Sequence, residues 1–351
     1  MTRSRSYIAT PPGVTIKEQL DDRGMSQKEF ASRMGMSEKH ISHLINGEVQ
    51  LTSDVAYRLE MVLGLPASFW NNLEAIYREK LAKAEAENGL DADKVLAQKF
   101  PYKEMAKNGW LPDTTKIGER VIYLRKFFEV VQLEQLTNSK LLPKIACRRL
   151  SITEKSDFAL ISWVQRARIE ARGLSVSPID INELTKQLPR IRAMTTEDPS
   201  VFCPKLLKLL SNCGVALIFL PHIGGSFLHG ATFYDKNKIV IGLTLRGKDA
   251  DKFWFSLFHE IGHILLGHLN QNTEINDEAE MDADSFARDT LIPLDAFNSF
   301  VGQGIFSRDS MKAFSTAVGI DPGILVGRLQ KEGYIKFNWY NDLKTKYALS
   351  A

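Results

Sequence analysis

The chain has 351 residues, 44% hydrophobic and 25% charged, with a formal net charge of +3; this is the composition of folded globular domains, and the length predicts two or three of them. Apolar runs such as Val215–Leu220 are too short to cross a bilayer, Met1–Gly13 lacks the apolar core of a secretory signal, and the widely spaced Cys147, Cys203 and Cys213 form no CxxC, so no membrane association is expected and the thiols are read as reduced, in a cytoplasm. Residues 1–80 carry 10 basic and 10 acidic side chains, residues 81–200 carry 20 and 16, and residues 201–351 carry 15 and 16, so charge alone announces no nucleic-acid partner.

Residues 14 to about 80 predict five short helices, with apolar residues at helical spacing and glycines between them. Ser26-Gln27-Lys28-Glu29 is a capping box opening one helix, whose inner face is Phe30, Ala31 and Met34 and which Gly35 ends. Ser37 caps the next, Glu38 to Ile45, stopped at Asn46-Gly47. Two short helices joined by a glycine turn predict a helix-turn-helix, whose second helix enters the major groove. Its outward side chains, Glu38, Lys39, His40, Ser42 and His43, are the candidate base readers, beside the capping Ser37. Gln27 and the helix start suit phosphate. A small protein-binding bundle with a solvated polar face is the alternative, because Glu38 and Glu48 are acidic and the charges balance.

A connector rich in Lys, Glu and Ala, Arg78 to Asn88, follows, and the pattern stays helical to about residue 212. Residues 81–200 show no nameable chemistry. Lys140, Lys144, Arg148 and Arg149 predict a basic helical face there, solvated or in contact with a partner or a DNA backbone. Then the character changes. Gly214–Leu220 predicts a buried strand, and His229–Tyr234 with Lys238–Leu243 flank Asp235-Lys236-Asn237 as a hairpin. A long helix is expected from about Asp249 to His268, then a polar loop, then a helix from about Asp277 to Leu291 stopped by Pro293.

The long helix contains His259-Glu260-Ile261-Gly262-His263, an H-E-x-x-H. Residues four apart share a helix face, so the two imidazoles can bind one Zn²⁺, and Glu260 is placed to reach a water beside the ion. Apolar flanks, Phe253–Phe258 and Ile264–Leu266, make the helix buried, and buried polar groups need partners. The acidic helix that begins near Asp277 supplies candidates: Glu280 as third ligand, with Asp282 as second choice, and Asp284 as acceptor for the outer N–H of a ligand histidine. Two other readings are hydrogen-bonded core histidines under a solvated acidic cap, and a closed structural site, which would usually be rich in cysteine. His268 is expected at the helix end, off the ligand face. His222 and His229 are either oxyanion donors or exposed loop histidines.

The run F-W-F-S-L-F-H-E-I-G-H-I-L-L-G-H followed by E-M-D-A-D-S-F-A-R-D-T-L-I-P resembles the ImmA/IrrE family of zinc metallopeptidases over roughly residues 200–295. The resemblance implies a gluzincin-like endopeptidase with zinc on His259, His263 and Glu280, Glu260 as general base, and a repressor-type protein as substrate. Asp282 stands where the family usually has a second Glu. A substrate strand is expected to add to the edge of the His229–Tyr234 strand, where Gly230 and Ala231 allow close approach. Met25–Gly47 resembles the XRE-type repressor domain, and Pro12 to about Tyr77 the HigA-type antitoxin, which implies operator DNA bound as a homodimer, base reading by Glu38, Lys39 and His43, and a phosphate contact by Gln27. The arginines many relatives carry on this helix are missing. The expected architecture is mainly α with a small α+β domain: a helix-turn-helix domain over 1–80, a helical middle region over 81–200, and a zinc peptidase domain with a small sheet over 201–351. The expected function is a cytoplasmic DNA-binding regulator fused to a zinc endopeptidase that cuts a repressor, an antitoxin or itself. The alternative is a non-catalytic antitoxin or repressor whose zinc domain is structural or ligand-sensing and binds a toxin partner.

Overall fold

A computed structural model of the chain describes residues 2–4, 6–137, 145–146, 154–224, 229–244, 249–270 and 277–347. The polypeptide divides into two compact units, Met1–Lys94 and Val95–Ala351. The expected basic face of Lys140, Lys144, Arg148 and Arg149 lies outside the described residues, as does Cys147.

In the first unit, strands β1 (Thr2–Arg3) and β2 (Ile8–Ala9) pair antiparallel ahead of five helices: α1 (Gly13–Asp22), α2 (Gln27–Met34), α3 (Glu38–Asn46), α4 (Ser53–Leu63) and α5 (Ala67–Asn88). The hydroxyls of Ser26, Ser37 and Thr52 accept the backbone N–H three residues on, satisfying a donor that each helix start would otherwise leave open. Gly35 ends α2 in a left-handed conformation, φ 62°, that glycine adopts without strain and that makes the turn into α3. Ile16, Phe30, Met34, Ile41, Leu59 and Trp70 are buried together as the core of this unit. The connector expected after the fifth helix is its continuation. Nothing from 67 to 88 is Gly or Pro, so α5 runs unbroken for 22 residues.

Helix α6 (Leu90–Ala97) spans the boundary. The second unit then contains α7 (Tyr102–Lys107), α8 (Ile117–Phe128), β3 (Ile145–Ala146), α9 (Glu154–Arg172), α10 (Ile181–Ala193), α11 (Pro199–Asn212), β4 (Val215–Leu220), β5 (Gly230–Asp235), β6 (Lys238–Thr244), α12 (Ala250–Leu265), α13 (Asp277–Leu291), α14 (Leu294–Gly302), α15 (Arg308–Val318) and α16 (Pro322–Lys331). The sheet order is β3-β5-β6-β4. β4 runs parallel to β6, from Val215 opposite Ile239 to Leu220 opposite Thr244. β5 is antiparallel to β6, from Gly230 opposite Leu243 to Asp235 opposite Lys238. Lys236, with φ 57°, makes the tight turn between them.

Both faces of the sheet are covered, which is why β4 and β6 read as near-continuous apolar runs. On one face α9 lays Trp163 against Gly242, where a Cβ would come within 2.6 Å of the indole. On the other, Ile239, Ile241 and Leu243 join Trp254, Leu257, Phe258 and Ile261 of α12 in the main core. The first turns of α12 are tied to the end of the chain: Ala250 N–H donates to the Thr345 carbonyl (2.8 Å), Lys344 pairs with Asp251 (2.8 Å), and Trp254 Nε1 donates to the Tyr347 hydroxyl (3.0 Å).

One expectation is corrected. The outer edge of β5 is not open along its length, because β3 pairs with it antiparallel, Ile145 opposite Phe233 and Ala146 opposite Thr232. A pairing of two residues recruited from far earlier in the chain leaves no local pattern. Among the described residues no helix is long and apolar enough to cross a membrane.

Candidate metal centre and nucleic-acid helix

Helix α12 is buried on nearly every side from Ala250 to Ile264, and it carries His259, Glu260 and His263 into the interior. Their partners come from α13, and small residues set how closely the two helices approach. A Cβ on Gly262 would meet Phe286 at 3.1 Å and the Ala283 backbone at 3.3 Å. Ala279, Ala283 and Ala287, spaced four apart, form the buried seam of α13. Glu280 and Asp284, adjoining that seam, thereby reach the histidines.

The ligand-type atoms of His259, His263 and Glu280 lie within 4.8 Å of one another. The two Nε2 atoms are 3.1 Å apart, and the Glu280 oxygens lie 3.3 Å from Nε2 of His259 and 3.5 Å from Nε2 of His263. Donor atoms placed tetrahedrally around one Zn²⁺ at its usual bond lengths would be roughly 3.3–3.6 Å apart. Both Glu280 oxygens are buried with no hydrogen-bond partner among the described residues. Nδ1 of His259 faces Asp284 Oδ1 at 2.9 Å. An ionised carboxylate only accepts, so Nδ1 carries a proton, and in the neutral ring Nε2 is then a bare lone pair. Lone pairs and a carboxylate gathered this closely repel one another unless a positive charge joins them. The donor set therefore fits a divalent cation, with His259, His263 and Glu280 able to hold it.

As protein groups alone, these side chains show what that charge would relieve. Burial disfavours a charged His259, yet its hydrogen bond to Asp284 and the nearby carboxylates of Glu280 and Glu260 raise it to about 9. His263 is pushed down to about 3 by burial and by the charge of His259. Burial pushes Glu260 up to about 7, against the pull of His259 and a hydrogen bond.

Glu260 is outside the three-atom cluster. Thr232 Oγ1 donates to its Oε2 at 2.5 Å, and Gly230 lies so close that a Cβ there would fall 2.5 Å from Oε1. Sequence reasoning missed Thr232, although alternation along β5 puts it on the same face as Gly230. It also missed the contact that His268 makes. That residue is off the ligand cluster, but it is buried, and its Nδ1 lies 2.9 Å from Nδ1 of His263. Lys331 on α16 completes the surroundings, its Nζ 3.6 Å from Asp284 and 4.5 Å from the centre of the Phe255 ring. Asp282 is exposed and outside the cluster. His222 lies in the loop after β4 and His229 just before β5.

In the first unit, α3 turns Ile41, Leu44 and Ile45 inward. Glu38, Lys39 and Ser42 are exposed, and His40 and His43 are half-buried. Ser37 is committed to capping, accepting from His40 N–H at 3.2 Å, and Nδ1 of His43 is paired with the Glu48 carboxylate just past the end of the helix. Gln27 is exposed at the start of α2.

Two family models match this chain: helix-turn-helix over residues 16–70, and IrrE N-terminal-like domain over residues 229–313. The chain is 33% identical over 84 residues to the uncharacterized HTH-type transcriptional regulator YddM of Escherichia coli (strain K12), covering 24% of this chain and 85% of that protein. It is 32% identical over 75 residues to the uncharacterized HTH-type transcriptional regulator YbaQ of Escherichia coli (strain K12), covering 21% of this chain and 66% of that protein. The chain belongs to the HTH-type transcriptional regulators, and it joins their helix-turn-helix domain to an IrrE N-terminal-like domain of the M78 peptidase type.

Proposed function

We propose that this chain is a cytoplasmic, homodimeric regulator that binds operator DNA through residues 1–80 and, through residues 201–351, acts as a zinc-dependent endopeptidase on a repressor, an antitoxin or itself. Residues 81–200 would serve as a sensing or partner region between them. His259, His263 and Glu280 hold the zinc, and Asp284 orients His259. Gln27, Ser37, Glu38, Lys39, His40 and His43 form the DNA-facing set. Bound zinc supplies Lewis acidity, polarising a carbonyl and making a nearby water more acidic.

The observation that carries the reading is Glu260, a fully buried carboxylate beside the ligand cluster but not part of it. A site that only stabilises the fold needs no such group, whereas hydrolysis needs a proton carrier. The Thr232 hydroxyl occupies Oε2, which leaves Oε1 to take a proton from the attacking water and to deliver it to the leaving amine. Burial raises the proton affinity of this carboxyl above that of an ordinary glutamate, which suits a group that must take up a proton and give it back.

The test is mass spectrometry of proteins shortened in cells expressing the wild type or Glu260→Gln. Glu260→Gln is expected to keep stoichiometric zinc and to lose cleavage, whereas His259→Ala loses both. Zinc retention with regulation unchanged in Glu260→Gln would favour a non-catalytic antitoxin or repressor. Deleting residues 1–80 is expected to abolish operator binding in a gel-shift assay, and binding that survives would refute the DNA reading.

A further inference from the structure

We propose that His268 is a positioning residue of the metal centre: it accepts the Nδ1 proton of His263 and so fixes the tautomer in which His263 turns a bare Nε2 towards His259 and Glu280. The inference rests on the reading that those three side chains hold a divalent cation.

The two ligand histidines are supported differently. His259 has Asp284, whose carboxylate leaves the ring no choice of tautomer. His263 has another imidazole, Nδ1 to Nδ1 at 2.9 Å. The ring centres are 5.1 Å apart and the planes meet at 66°, an edge arrangement rather than a stack. One proton must lie between those nitrogens, since two would clash and none would set lone pair against lone pair. If His268 were the donor, His263 would carry its proton on Nε2, aimed at Nε2 of His259 only 3.1 Å away, and could not ligate. With His263 as donor, His268 keeps its own proton on Nε2, and Nε2 of His263 is free. His263 is fully buried and His268 is 5% exposed, so bulk water does not stand in for either partner.

The backbone explains how a residue five positions beyond His263 comes to stand behind it. A continuing helix would carry position 268 about 140° away from 263. Instead α12 ends at Leu265, Gly267 takes φ 74°, and the single-turn segment His268–Asn270 that follows holds His268 with its Nδ1 2.9 Å from that of His263. A partner behind a ligand histidine typically changes metal affinity by about 10- to 100-fold.

Zinc affinity of the full chain, measured by competition with a chromophoric chelator, tests the proposal. His268→Leu, which removes the acceptor but keeps bulk, is expected to weaken binding by about 10- to 100-fold. His268→Asn, whose amide oxygen can take the place of Nδ1, is expected to restore most of it. Affinity unchanged in His268→Leu, or lost equally in both variants, would overturn the proposal. A second measurement needs no variant. In histidine-¹⁵N-labelled wild-type protein, a scalar coupling through an N–H···N bond should join the two Nδ1 atoms, with the proton bonded to His263. Absence of the coupling, or a proton bonded to His268, would sink the inference. A wild-type chain that binds no zinc would instead refute the metal reading, and the coupling would still judge this one.

Discussion

Helices α3 and α12 each carry two histidines, three residues apart on α3 and four apart on α12, and they use them in opposite ways. On α3, His40 and His43 are half-buried at the rim of a three-residue apolar face, and His43 turns to a neighbouring surface carboxylate, Glu48. On α12, His259 and His263 are buried, and the carboxylates they meet come from another helix, α13. The difference shows that two neighbouring histidines on a helix do not by themselves make a candidate metal site. A buried pair lacks water as an alternative partner, so the fold must supply an acceptor for each outer nitrogen and a charge for the inner ones. A surface pair is held only by what salt and solvent leave of its attraction.

The contrast can be sharpened by mutation. Trp254 is fully buried on α12, and its Nε1 is bonded to Tyr347, so Trp254→Ala should cost about 3–5 kcal/mol of stability. Urea unfolding would read that loss, and zinc content should fall with it, because the same helix carries both proposed histidine ligands. Ser37→Ala removes only the hydroxyl that caps α3 and should cost about 1 kcal/mol. Its zinc content should stay at the wild-type value, as expected for a change confined to the first unit. A loss of zinc in Ser37→Ala would break the separation between the two helices.

What was legible in the sequence was local. The capping hydroxyls of Ser26 and Ser37, the stops at Gly35 and Gly47, and the hairpin around Lys236 all lie within a few residues of the structure they make. Placing His259, Glu260 and His263 together is also local, since one helix carries them. Bringing Glu280 to them is not, for it depends on Gly262 facing Ala283 across two helices. The hydroxyl of Thr232 on Glu260 and the return of His268 behind His263 were not legible, because one requires the sheet to pack on α12 and the other a reversal at Gly267. The capture of the β5 edge by β3 carries no signal at all in two residues. Helix α3 was legible as a helix, but the pairing of His43 with Glu48 was not foreseen.

The central claim is that one divalent ion is shared by side chains of α12 and α13, with one position left to the reaction. Anomalous diffraction at the zinc edge, on crystals of the full-length protein, tests it most directly. The account predicts a single peak bonded to Nε2 of His259, Nε2 of His263 and a carboxylate oxygen of Glu280, with its fourth position free of protein. A peak elsewhere in the molecule, or a fourth amino-acid ligand closing that position, would contradict it.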